Sequence, residues 1–198
     1  MIKKLKIENW KLEIPTKRAG FTVLESIVAI AILSLSISGA FSAVQQSLSE
    51  YIITRDETRA FYLAQEAIEV IRNKRDNNQL NRIANPASPN TWLYGITQNA
   101  SDPCYFGRVC RVDAVFTPPS LTYCNSSSWG NCSYLKQNQS TFMYGYTTGN
   151  TTTFKREVQI ESITADEIAV IVRISWNKGP ISKNFMIKTF LFNWAGTL

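Results

Sequence analysis

The sequence predicts an α+β chain: a long N-terminal helix, apolar in its first half and amphipathic in its second, packed on a C-terminal antiparallel sheet. Three observations carry this expectation. Between Phe21 and Val44 the only formal charge is Glu25. Between Ala60 and Ile71 apolar residues recur every three or four positions, and between Phe154 and Trp194 apolar and polar residues alternate. Those periods are the signatures of a one-faced helix and of half-buried strands.

The first element is long enough to enter a membrane. Phe21 to Val44 is 24 residues, against the roughly 20 needed to cross a bilayer. Lys11, Lys17 and Arg18 flank it on the N-terminal side, so the positive-inside rule keeps residues 1–20 cytoplasmic and sends the C-terminal bulk across. An ordinary signal peptide has an apolar core of about 7 to 15 residues; this run is longer and Glu25 interrupts it. A plain signal anchor fits the length but leaves a carboxylate in hydrocarbon unexplained, and such a group reads as functional by default.

The amphipathic half follows without a break. Neither Pro nor Gly occurs from Gln45 to Asn73, and Ala60, Leu63, Ala64, Ala67, Ile68 and Ile71 form a stripe one helix face wide. A helix from Phe21 to Asn73 would be about 80 Å long. Arg72, Lys74 and Arg75 then read as its solvated, cationic end. Gly39, inside the apolar half, marks a softer point or a close helix contact.

Residues 76–153 are rich in Asn, Ser, Thr, Pro and Tyr and lack periodic runs, so they read as turns and short strands with little core of their own. All four cysteines lie here: Cys104, Cys110, Cys124 and Cys132, spaced C-x5-C-x13-C-x7-C. Zinc would need all four thiolates, and its ligands usually come in closer pairs; in an exported domain disulfides are favoured. Four cysteines allow three connectivities. The two local loops, Cys104 with Cys110 and Cys124 with Cys132, are preferred because short loops close at low entropic cost. Sequons begin at Asn99, Asn125, Asn131, Asn138 and Asn150, as chance supplies in so Asn- and Ser-rich a segment.

Residues 154–198 form the β region. Phe154, Val158 and Ile160 alternate with Lys155, Glu157, Gln159 and Glu161; Ile168 to Trp176 is apolar on both faces; Asn177-Lys178-Gly179-Pro180 is a turn; and Ile181 to Trp194 returns with Phe185, Ile187, Phe190 and Phe192. Three strands with short links make an antiparallel meander, and the helix stripe is its expected cover.

Charge and composition exclude much. The net charge is +6, yet residues 1–20 hold six cations and two anions, which leaves 15 cations and 13 anions for the rest. No basic cluster marks the folded part, so no specific nucleic-acid partner is expected. With no histidine there is no Ser-His or Cys-His pair, and no glycine-rich phosphate loop occurs. Asp166 beside Glu167 reads as a turn. The chain is expected not to be an enzyme and to need no cofactor or metal.

The stretch Lys17-Arg18-Ala19-Gly20-Phe21-Thr22-Val23-Leu24-Glu25 resembles the type III signal of type IV prepilins and type II secretion pseudopilins. The resemblance implies a pilin fold. It further implies cleavage by prepilin peptidase between Gly20 and Phe21, methylation of Phe21, and retention of the apolar helix. Glu25 would then neutralise the N-terminal amine of a neighbouring subunit during assembly, because a buried cation and anion are each costly alone and tolerable as a pair. A local pair is the alternative, since Phe21 and Glu25 lie one helical turn apart. Partners implied are other pilins and the inner-membrane assembly machinery; the location implied is the cytoplasmic membrane with the head outside, then an extracytoplasmic filament. The run Tyr62-Leu63-Ala64-Gln65-Glu66-Ala67-Ile68-Glu69, with Arg72-Asn73, Arg75-Asp76 and the strand Thr153 to Val158, looks like PilV-type minor pilins, which are related to GspI pseudopilins. The apolar half lacks the proline usual in major type IV pilins, which points to a minor subunit. The alternative function is an uncleaved surface adhesin that uses the cysteine region to bind ligand; a DNA-uptake subunit has only the weak +2 balance behind it.

Overall fold

The computed structural model describes Gly20 and residues 22–196. The leader up to Ala19, and Phe21, lie outside the described residues. The chain divides into two compact units, Met1–Glu50 and Tyr51–Leu198. Helix α1 spans Val23–Ala84, and seven strands follow: β1 Val109–Asp113, β2 Ser120–Ser126, β3 Tyr134–Gln137, β4 Tyr144–Gly145, β5 Asn150–Thr164, β6 Glu167–Lys178 and β7 Ile181–Phe192. The chain is α+β and pilin-like.

In the first unit, the described part of α1 presents its apolar side chains outward. Ile27, Val28, Ile30, Leu33 and Phe41 are all exposed. Each is worth about 1.5–3 kcal/mol when buried, so this surface demands lipid or other helices around it. Among the described residues α1 is the one helix long and apolar enough to cross a membrane.

In the second unit, α1 lies over the sheet. Ala60, Leu63, Ala64, Ala67, Ile68 and Ile71 join one core with Val158, Ile160, Ile168, Val170, Val172, Ile174 and Leu191. The stripe is alanine-rich at Ala60, Ala64 and Ala67, which lets the helix backbone approach the sheet closely.

The long strand β5 organises that sheet. One of its edges is shared in succession by β3, with Tyr134 opposite Lys155, and by β1, with Cys110 opposite Val158. The other edge pairs antiparallel with β6, which pairs with β7. Strand β2 flanks β1 and β4 flanks β3. The connection into β5 passes Gly149, whose φ of 107° and close approach to the Gln137 carbonyl leave no room for a Cβ, which would lie 2.2 Å from that oxygen.

Three features differ from the sequence expectation. First, α1 continues past Asn73 to Ala84. Its buried face goes on as Arg75 and Gln79, polar residues that periodicity does not count. Arg75 Nη1 donates to the Phe192 carbonyl at 2.6 Å, and Gln79 Nε2 donates to Asn193 Oδ1. Pro86 sets the stop, because the residue before a proline is steered out of the helical region. Second, Arg75 is therefore buried in mid-helix, not part of a solvated end, while Arg72 pairs with Glu69 at the surface. Third, residues 76–153 are not short of core: Trp92, Leu93, Ile96, Val112 and Leu135 are buried with the helix stripe, and β1 to β4 complete a seven-stranded sheet around the meander. On β7, Phe185 and Ile187 pack against the core, whereas Phe190 and Phe192 stand on the opposite face, 47% and 53% exposed. Two-residue alternation puts 185, 187 and 191 on one side and 190 and 192 on the other.

Candidate processing and assembly site

Thr22 opens α1 as its cap. Its Oγ1 accepts the Glu25 backbone N–H at 3.2 Å, and its carbonyl accepts the Ser26 N–H at 3.1 Å. Threonine at the cap with glutamate three residues on is a capping-box pattern, a signal the sequence carries as Thr22-Val23-Leu24-Glu25 and one that hydropathy alone does not pick out. Glu25 sits in the first turn of the helix, where the unpaired backbone N–H groups favour an anion by about 0.3–1 kcal/mol. The carboxylate is exposed and open to a partner. Gly20, the residue before the expected cut, is non-helical and exposed. The other half of that bond, Phe21, lies outside the described residues, and so does the amine that Glu25 would meet.

Gly39 lies in α1, and among the described residues no group beyond its neighbours and its own helix backbone lies within 4 Å of where a Cβ would be. Glycine there leaves a shallow spot on an otherwise apolar helix surface.

In the second unit the cysteines are joined as Cys104–Cys110 and Cys124–Cys132, with Cα separations of 5.2 and 5.0 Å. All four thiols are consumed, so none is left to ligate zinc. Cys104 and Cys110 are fully buried beside the helix stripe. The Cys124–Cys132 loop instead holds a carboxylate, with Gly130 N–H and Cys132 N–H donating to Glu157 Oε1 at 2.7 and 3.2 Å. This is why Glu157, on the polar side of β5, is fully buried.

Arg156 is the side chain that the sequence reading missed. It stands on the core side of β5 between Phe154 and Val158, where alternation predicts an apolar residue, and is fully buried. Its Nη1 donates to the Leu63 carbonyl at 3.2 Å and pairs with Glu66, while Nη2 donates to the Val112 carbonyl at 2.6 Å. One guanidinium therefore ties α1 to β1 and β5. Five donors in a fixed fork make arginine suited to such a junction.

Tyr146 backs this junction. Its hydroxyl donates to the Arg156 carbonyl at 3.1 Å, and Arg111 lies over its ring at 4.7 Å. Burial pushes the phenol above its usual 10.0, while the Arg156 and Arg111 charges pull against that shift. The unfolded phenol loses its proton first, so this contribution to stability is intact below pH 10.0 and lost as the pH rises through the higher folded value. Tyr146→Phe should cost about 0.5–1.5 kcal/mol at neutral pH through the lost hydrogen bond. It should also flatten the alkaline fall of unfolding free energy. Urea titrations between neutral pH and about pH 11, above the ordinary phenol range, check this, and parallel pH profiles for the two proteins would refute it.

Comparison with known proteins gives one match. The family model described as the prokaryotic N-terminal methylation motif fits residues 15–41. No curated protein and no solved structure matches the chain. The matched segment contains Gly20, the Thr22 cap, Glu25 and the start of the outward-facing apolar helix. On that match and on its α+β architecture, the chain carries the processing motif of membrane-anchored, type IV pilin-like proteins that are substrates of prepilin peptidase.

Proposed function

We propose that the chain is a minor pilin or pseudopilin, a structural subunit of a type IV pilus or a related secretion or competence filament. In this reading it is inserted with residues 51–198 outside, cut after Gly20, methylated on Phe21 and drawn into a filament through Phe21 to Val44. It catalyses nothing; its work is to bind other pilins. The observation that carries the reading is the methylation motif at residues 15–41, which contains a capped helix start with exposed apolar side chains such as Ile27, Ile30 and Leu33. Absence of proline from Phe21 to Val44 and the likeness of Tyr62 to Glu69 to PilV-type subunits support the minor-subunit assignment.

Glu25 provides the test. Its contribution to the helix N-terminus is small, so Glu25→Leu leaves the helix formed. The variant should be cleaved and methylated normally, yet its share in sheared filaments should fall by about tenfold or more, the equivalent of at least about 1.4 kcal/mol. Wild-type incorporation of Glu25→Leu would remove the assembly role.

A further inference from the structure

The side of the sheet turned away from α1 carries a polar cavity. Strand register places Tyr134, Lys155, Ser175 and Asn184 in one row across β3, β5, β6 and β7. Glu157, Arg173 and Met186 form the next row, and Asn177 opposite Ser182 lies on the other side. Tyr134, Lys155, Arg173, Ser175, Asn177 and Ser182 line a cavity of about 210 Å³.

Arg173 is the unusual member. Its Nε is buried with no hydrogen-bond partner, and it forms no ion pair among the described residues. It stands opposite Glu157, but Glu157 Oε1 is held by Gly130 and Cys132, and Oε2 is likewise buried without a partner. A buried donor left unpaired costs about 1–3 kcal/mol. A guanidinium that lines an open cavity with its fork unused is preset for a planar or tetrahedral oxyanion. Lys155 adds a second cation fixed in place: its Nζ donates to the Gly130 carbonyl at 2.7 Å and lies 4.6 Å from the centre of the Tyr134 ring. With Glu157 behind the wall, two cations face one anion, so the site retains an attraction for negative charge.

The remainder of the lining selects what carries that charge. Ser175 and Ser182 offer hydroxyls, Asn177 an amide and Tyr134 an aromatic edge, which suit a ligand bearing several hydroxyl groups. The volume is below the roughly 300–1,000 Å³ of sites for drug-sized molecules, which suits the recognition of a single ring. We propose that this cavity binds the acidic ring of a saccharide, with Arg173 taking its carboxylate and the Ser175, Asn177 and Ser182 side chains its hydroxyls.

The test uses the full chain in detergent micelles at fixed ionic strength, titrated calorimetrically with glucuronate, glucose and sodium sulfate. Glucuronate should bind about tenfold or more tighter than glucose. Arg173→Gln should abolish that advantage and Arg173→Lys should keep part of it. Ser175→Ala with Asn177→Ala should weaken glucuronate while leaving sulfate unchanged, which keeps the proposal decidable if Arg173→Gln fails to fold. Equal affinity for glucose and glucuronate, or unchanged glucuronate binding in Arg173→Gln, would overturn the proposal. Sulfate binding as tightly as glucuronate would reduce the site to a simple anion site and overturn the saccharide assignment. A lower melting temperature in Arg173→Gln with unaltered binding would mean that Arg173 serves Glu157 alone.

Discussion

Arg156→Ala lowers the unfolding free energy of residues 51–198 by about 3–5 kcal/mol, as expected from buried carbonyls that lose a donor together with the void left by a large buried side chain. The expectation follows from what the substitution strands. The Val112 carbonyl loses the donor that reaches it at 2.6 Å, and the Leu63 carbonyl loses one at 3.2 Å. A fully buried side chain is replaced by a void. The Glu66 ion pair adds less, because that carboxylate is 40% exposed and its attraction is screened by water. Arg156→Met, which keeps the aliphatic stem, should lose less than the alanine variant. Urea unfolding of the full chain in detergent, followed by tryptophan fluorescence, measures both. A loss under about 1 kcal/mol for Arg156→Ala, no more than an ordinary surface substitution, would show that the junction does not hold helix and sheet together.

Gly20→Val is expected to leave the fold intact and abolish maturation. Among the described residues, its two chain neighbours aside, no group lies within 4 Å of where a Cβ at Gly20 would be. A loss of maturation in the folded variant therefore reports recognition by the peptidase. In the native host the variant should accumulate in the membrane at full precursor mass, without methylation, and filaments should contain less than about a tenth of the wild-type amount, a difference of more than about 1.4 kcal/mol in apparent incorporation. Normal processing of Gly20→Val would place the cut elsewhere.

The contrast between Ile71 and Arg75 explains how far the sequence can be read. Both lie on the buried face of α1, one helical turn apart. Ile71 announces itself by periodicity, whereas Arg75 and Gln79 are buried because partners at Phe192 and Asn193 arrive from more than a hundred residues away. Single-sequence periodicity contains no information about those partners, so it ends the helix too early. Arg156 is hidden for the same reason: its burial is compensated by carbonyls of α1 and β1 and by Glu66.

The last three strands are legible because each is long, alternates and is joined to the next by a short turn, so their pairing is local. Strands β1 to β4 are short, and β1 and β3 find β5 across long stretches of chain, a pairing set by tertiary packing. For Phe190 and Phe192 the residue types point inward while the two-residue alternation points outward, and the alternation prevails. At the N-terminus the signal from Lys17 to Glu25 is plain because it is a contiguous motif. The Thr22 cap lies within it, masked by the hydropathy of its neighbours. The proposed saccharide cavity is invisible in sequence for the opposite reason: its residues are scattered over four strands, and only the register of β3, β5, β6 and β7 assembles them.

Maturation of this chain as a pilin-like subunit would be written in the N-terminus of the mature protein. Intact mass and N-terminal sequencing of protein purified from membranes of the native host should give a chain that begins at methylated Phe21. A chain that begins at Met1 would contradict the account and leave a membrane-anchored surface protein in its place.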